Sequence, residues 1–275
     1  MSVQVAQPAK GWEAQLQLQF QAREGGTTLL SRHHGPLRIQ KALYPEGRQC
    51  AQAIIIHPPG GIAGGDVLEI EAQVERQARA LITTPGAAKW YGASGEPARQ
   101  NVRLNVSGQL EWQETIVFNH AQAHASLHIQ ADADAAMIGW ETLIFGRRGS
   151  GERFTHGRFC QHIALAIDHT PVWEERLVLE GDDPLFASPI GLRGEHSLAT
   201  TWALRGKAAP WQDEEITALR EGAPEIAWTR LYPTLLVGRA LGDPLALQQS
   251  LRQAWLALRP LTLNAIAQPP RIWAT

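Results

Sequence analysis

Three glutamates stand inside the most apolar stretches of the chain. Glu114 lies in Trp112-Gln113-Glu114-Thr115-Ile116, Glu141 in Trp140-Glu141-Thr142-Leu143, and Glu175 in Glu174-Glu175-Arg176-Leu177-Val178-Leu179. A carboxylate among apolar strands is costly unless it is paired, hydrated or bound to a metal. Two readings follow. The acids pair with cations such as Arg147, Arg153 or Arg176, or they line a hydrated internal passage that attracts a divalent cation.

A second unusual stretch is His57-Pro58-Pro59-Gly60-Gly61-Ile62-Ala63-Gly64-Gly65-Asp66. Glycine-rich turns can cradle phosphate, but no Gly-Lys-Ser/Thr follows, and the chain runs on as Val67-Leu68-Glu69-Ile70, which reads as a strand rather than a helix. A structural elbow that presents Asp66 fits these residues better. Third, His120, His124 and His128 recur every four residues, and imidazoles so grouped could bind nickel, copper or zinc. On an extended strand, residues four apart are more than roughly 10 Å apart, too far for one ion, which favours a solvated polar face. A metal-dependent hydrolase using this row and Asp66 is the rival function. Hydrolase templates are otherwise missing: Gly92-Ala93-Ser94-Gly95 is one residue short of a Gly-x-Ser-x-Gly elbow, and no HExxH occurs.

These residues are positioned by a strand-rich chain. Residues 14–22 alternate Ala, Leu, Leu, Phe and Ala with glutamines, the period-two pattern of a strand with one wet and one buried face. The same pattern marks 37–43, 67–74, 98–106 and 127–129. More continuous apolar runs at 53–56, 137–145 and 172–179 predict strands covered on both faces. Near the C-terminus, Asp243-Pro244 reads as an N-cap followed by proline at the first helical position. Leu247, Leu251, Trp255 and Leu258 share one face, and Pro260 is expected to stop the helix. A second helix is predicted over 212–220 with Ile216 and Leu219 inward, and a long loop over 181–197. The segment 114–118 (ETIVF) is echoed 27 residues later at 141–145 (ETLIF), with Trp112 and Trp140 just upstream. A repeat of this length in a strand-rich chain points to stacked coils, with a sandwich as the alternative. The expected fold is therefore mainly β, a β-helix-like stack of many short strands with two helices toward the C-terminus. It is read as one domain over 1–275, a strand-rich body at about 11–204 and a helix-containing part at about 205–275.

Composition narrows the class. The 275 residues carry 25 Lys+Arg against 27 Asp+Glu, a formal net charge of −2, and this lacks the basic excess that nucleic acid or an anionic membrane requires. With 44% hydrophobic and 19% charged residues, disorder is excluded as the dominant state. Two cysteines, Cys50 and Cys160, give neither a CxxC nor a disulfide framework. The first ten residues lack the pattern of a secretory leader, and no apolar run approaches the length of a membrane span. The expectation is a soluble protein of a reducing compartment.

Several motifs together resemble the UreD (UreH in some species) family of urease accessory proteins. They are Gly11-Trp12, Gly35-Pro36-Leu37, Leu43-Tyr44-Pro45-Glu46, the run 57–66, Leu81-Ile82-Thr83-Thr84-Pro85-Gly86-Ala87, Leu110-Glu111-Trp112, Gln113-Glu114-Thr115-Ile116, Gly139-Trp140-Glu141, Gly151-Glu152-Arg153-Phe154, Glu175-Arg176-Leu177 and the terminal Pro270-Arg271-Ile272-Trp273. The resemblance runs nearly end to end, and its departures are small: Lys89-Trp90-Tyr91 replaces the usual Lys-Phe-Tyr, and His124 and His128 belong to no family motif. The resemblance implies a β-helix-like fold and a cytoplasmic, non-enzymatic maturation factor. Such a factor binds the urease apoprotein and joins UreF and the GTPase UreG to deliver Ni²⁺, itself binding no GTP and holding no tight cofactor. It also implies an internal water-filled tunnel. Asp66, Glu141 and Glu175 match family motifs and are the candidates for a transient nickel route, with Glu114 added from its own sequence context. Residues 231–237 and the amphipathic helix are the expected docking surface for UreF.

Overall fold

The computed structural model describes residues 11–93, 95–112 and 115–274. Strands β1 (Glu13–Arg23) and β2 (Gly26–His34) form an antiparallel hairpin, and β3 (Arg38–Ile39) pairs briefly with β4 (Cys50–Ile56). The chain then passes back and forth between two sheets through β5 (Val67–Val74), β6 (Arg79–Thr83), β7 (Ala88–Trp90), β8 (Ala98–Val106), β9 (Gln109–Trp112), β10 (Thr115–Val117), β11 (Gln122–Ala131), β12 (Ala136–Phe145) and β13 (Arg158–Ile167). Strands β14 (Thr170–Glu180) and β15 (Ser197–Leu204) return antiparallel on β13 and β12. Helix α1 (Asp213–Gly222), strands β16 (Ala227–Tyr232) and β17 (Leu235–Leu241) and helix α2 (Pro244–Leu263) follow.

One sheet has the order β14-β13-β11-β8-β5-β1-β2 and the other β16-β17-β15-β12-β9-β6-β4-β3. In the first, β5, β8, β11 and β13 run parallel; in the second, β4, β6, β9 and β12 do. Each circuit of the chain therefore adds one parallel strand to each sheet, which is the β-helix-like stack expected from the sequence. Trp112 sits beside Gly139, a coil of 27 residues, but Thr115 sits beside Leu143 and not beside its sequence echo Thr142. The register steps by one between β9 and β10, and a one-residue step exchanges the faces of a strand, so the echo marks the coils without being their pairing.

Two apolar layers hold the stack. Leu16, Leu18, Phe20, Ile129 and Phe159 fill the space between the sheets, whereas Ile138, Trp140, Trp211, Trp255 and Leu258 join the outer face of the second sheet to the helices. Strand β12 serves both, with Met137, Leu143 and Phe145 in one layer and Ile138 and Trp140 in the other, as its unbroken apolar run requires. The helix expectations hold in detail: Asp243 caps α2 by accepting from the N–H groups of Leu245 and Ala246, and Leu247, Leu251, Trp255 and Leu258 face inward.

Four readings are corrected. Strand β14 lies at a sheet edge and exposes Glu174, Arg176 and Val178, so its apolar run is covered on one face only. In 37–43 only Arg38–Ile39 is a strand, with a single bridge from Leu43 to Gln52. Helix α2 passes through Pro260 to Leu263; the lost backbone bond is offset by burial of Thr262 and Leu263 beyond it, and Asn264 ends the helix at φ 47°. Finally, Leu235, Leu236 and Val237 are core residues and the apolar face of α2 is covered by the sheet, which leaves Leu231 and Tyr232 as the exposed apolar groups of 231–237.

Candidate functional site

Alternation along a strand decides which side chains enter the space between the sheets, and at a few inward positions this sequence places polar residues. On the first sheet Gln100 and Gln161 take such positions, on either side of the small Ala125; their backbones lie in register, Gln100 beside Ala125 and Ala125 beside Gln161. On the second sheet Glu141, Thr200 and Arg239 form the corresponding row, each beside the next. A cavity of about 310 Å³ opens here. Its apolar walls include Ile55, Leu68, Ile70, Val102 and Leu127, its polar lining includes Gln100, Ser126, Glu141 and Gln161, and its rim is formed by His57, Gly60, Gly61 and the loop 84–89.

Glu141 is the acid of this cavity. It is 8% exposed and accepts a 2.7 Å hydrogen bond from Gln161 Nε2. Burial pushes its carboxyl up to about 7, with a smaller push from Glu175 and an opposing pull from the Gln161 bond. A carboxyl so placed is partly ionised at neutral pH and can gain or release charge as a cation passes. Glu175 stands outside the cavity lining, at the inward parity of β14, and pairs with Arg239 of the opposite sheet at an edge where the two side chains are 20% and 47% exposed. The structure thus brings Glu141 and Glu175 within electrostatic reach of one another, one facing the cavity and the other at the open edge. The partner of Glu175 is Arg239; the closer arginines in sequence pair elsewhere, Arg147 with Glu152 and Arg176 with Glu174.

Asp66 is placed differently. It is buried outside the cavity lining, with Oδ1 accepting from Trp12 N–H and Oδ2 from Ala63 N–H, each at 2.8 Å. Both oxygens are committed to fastening the glycine-rich loop to the chain before β1. The glycines serve the same junction: a Cβ on Gly11 would lie 2.1 Å from the carbonyl carbon of Gly65, and Gly65 itself has φ 84°. The run 57–66 is thus a structural elbow that keeps Asp66 inward. Glu114 lies outside the described residues.

The histidine row does not converge. His124 and His128 project from the outer face of the first sheet, and His120 stands in the turn before β11, stacked on His156 at 4.9 Å. His128 meets His162 of the neighbouring strand at 5.1 Å, and His162 Nε2 lies 3.2 Å from Glu174. Among the described residues no group of three His, Cys, Asp or Glu side chains is arranged to hold a metal ion.

A further buried acid escaped the sequence reading. Glu111 is 2% exposed on the helix side of the second sheet, where it accepts hydrogen bonds from Trp255 Nε1 and Arg259 Nε. Arg259 also pairs with Glu46 at 2.6 Å. Burial raises the Glu111 carboxyl to about 7 against the pull of Arg259, and it raises the nearby Cys50 thiol to about 12, leaving that cysteine an inert core group. Gln100, Gln161 and Thr200 were also missed, although each is a polar residue at the inward parity of its strand, a signal present in the sequence.

No helix among the described residues is long and apolar enough to cross a membrane. Comparison with known proteins agrees over nearly the whole chain. A family profile described as UreD urease accessory protein matches residues 13–274. The chain is 46% identical over 271 residues to the urease accessory protein UreD of Pseudomonas fluorescens, covering 96% of this chain and 95% of that protein. It is 39% identical to the UreD proteins of Delftia acidovorans and Ralstonia nicotianae, covering 97% and 96% of this chain and 96% and 94% of those proteins. On this evidence the chain belongs to the UreD family of urease accessory proteins.

Proposed function

We propose that this chain is a non-enzymatic maturation factor of the cytoplasm. It binds the urease apoprotein, joins UreF and UreG, and offers Ni²⁺ a route to the urease active site through the cavity between its sheets. One observation carries the route: Glu141, a lone carboxyl with its charge poised near neutral pH, faces the cavity. Ni²⁺ accepts imidazole, carboxylate and water. A conduit must hold it loosely enough at each point for release, and a single carboxyl hydrogen-bonded, among the described residues, only to the Gln161 amide N–H does so where a dense cage of ligands would trap the ion. Glu175, paired with Arg239 at the sheet edge and within electrostatic reach of Glu141, is the second acid of the proposed route.

The test is urease activation at limiting nickel with Glu141→Gln and Glu175→Gln, with co-purification of UreF, UreG and urease followed in parallel. Reduced activation with partners retained supports the route. Full activation by both variants would remove it, leaving a scaffold with no part in carrying the metal.

A further inference from the structure

The walls of the cavity are more apolar than a hydrated cation needs, and they meet a carboxyl that keeps one oxygen unbonded. We propose that the cavity is a binding site for a small primary alkylammonium ion, its ammonium at Glu141 and its alkyl body against the aliphatic walls; this stands on the cavity alone and not on the conduit reading. Glu141 Oε1 accepts from Gln161 Nε2 at 2.7 Å. Its Oε2 takes no hydrogen bond from the described residues and is open to the cavity. Gln161 spends its Nε2 on Glu141, so its own Oε1, unsealed as well, is a second acceptor in the same lining.

The acceptors select the head group. A carboxylate with an amide oxygen beside it offers lone pairs and a negative charge, which the N–H donors of an ammonium match. A hydroxyl leaves the charge unpaired, and a second carboxylate repels it. The walls select the body. Ile55, Leu68, Ile70, Val102 and Leu127 bring branched aliphatic groups to the cavity, and the small Ala125 leaves room between Gln100 and Gln161. Apolar cavities of about 150 Å³ hold benzene, so about 310 Å³ accommodates a chain of roughly six carbons. Lys89, a cation of the lining, stands exposed at the rim, where water and salt screen its charge from a head group at Glu141.

The experiment titrates the full-length chain, methyl-labelled at Ile, Leu and Val, with hexylammonium chloride and follows it by NMR. Saturable shifts and intermolecular NOEs are expected at Ile70, Val102 and Leu127. Hexanol and hexanoate should bind at least about tenfold more weakly, because each lacks the charged donor. Affinity should rise about threefold with each methylene from propylammonium to hexylammonium, the worth of a buried CH₂. Glu141→Gln should weaken hexylammonium by about tenfold or more and hexanol little. NOEs confined to surface methyls, hexanol binding as well as hexylammonium, or no dependence on chain length would each overturn the proposal, and these readouts need no variant to fold. Urease activation separates the two readings. Hexylammonium seated in the cavity with activation at limiting nickel unchanged supports the site and removes the conduit, whereas no hexylammonium bound to the wild type, with Glu141→Gln inactive, overturns the site and leaves the conduit.

Discussion

Glu141→Gln should stabilise the protein at neutral pH while lowering its function, because the carboxyl is held where its ionised form is disfavoured. The amide has the same shape and can still accept from Gln161 Nε2, so the substitution removes chiefly the charge. Burial raises the folded carboxyl from its ordinary 4.5 to about 7. Between these values the folded chain binds more protons at this site than the unfolded chain, so stability falls as pH rises. The contribution is complete below 4.5 and gone by about 7. At about 1.4 kcal/mol per unit the interval amounts to about 3 kcal/mol, and access of water through the cavity lowers this to about 2–3 kcal/mol. For a chain of this size that corresponds to roughly 5–10 °C in Tm. Urea unfolding of wild type and variant at pH 5, 6, 7 and 8 measures it. The two should nearly coincide at pH 5, with the variant increasingly more stable toward pH 8; Glu111 is common to both and cancels. A constant difference across this range, or a variant less stable at pH 8, would refute the reasoning.

Two further outcomes concern the frame around the cavity. Arg259→Met leaves Glu46 and Glu111 without their shared cation and should cost about 3–5 kcal/mol in urea unfolding, with much of it regained when Glu111→Gln is added; no recovery would mean that the arginine acts through packing alone. Gly11→Ala forces a Cβ against the Gly65 carbonyl and should cost about 1–3 kcal/mol, more than Gly47→Ala, where φ is 86° but nothing lies near; the reverse order in thermal unfolding would contradict the close approach of the two loops.

The sequence carried much of this architecture, but unevenly. Strand β1 was legible residue by residue because four glutamines alternate with buried apolar groups, and α2 because Asp243-Pro244 is a strong start signal. Pro260 misled, since local propensity sets the cost of a proline while tertiary packing beyond it decides whether the helix continues. The 27-residue echo revealed the coils but not their register, because the one-residue step falls between β9 and β10. Glu141 stood out as a charge in an apolar run, whereas Gln161, its hydrogen-bond partner, did not, because an uncharged amide attracts less notice than an acid at an inward position. The Glu175–Arg239 pair spans 64 residues and joins strands of different sheets, so only the fold discloses it. Asp66 stands out in the sequence for its surroundings, but its backbone partners do not, because the N–H groups of Trp12 and Ala63 meet it only once the glycine-rich elbow has folded.

The central claim is that the metal travels through the space between the sheets, and filling that space tests it most directly. Ala125 lines the cavity on β11, and its neighbour His124 projects from the opposite face of the same strand. Ala125→Phe should abolish urease activation at limiting nickel while the complex with UreF, UreG and urease still assembles, and His124→Phe should activate as wild type does. Full activation by Ala125→Phe, with its aromatic ring shown to occupy the cavity, would contradict the account.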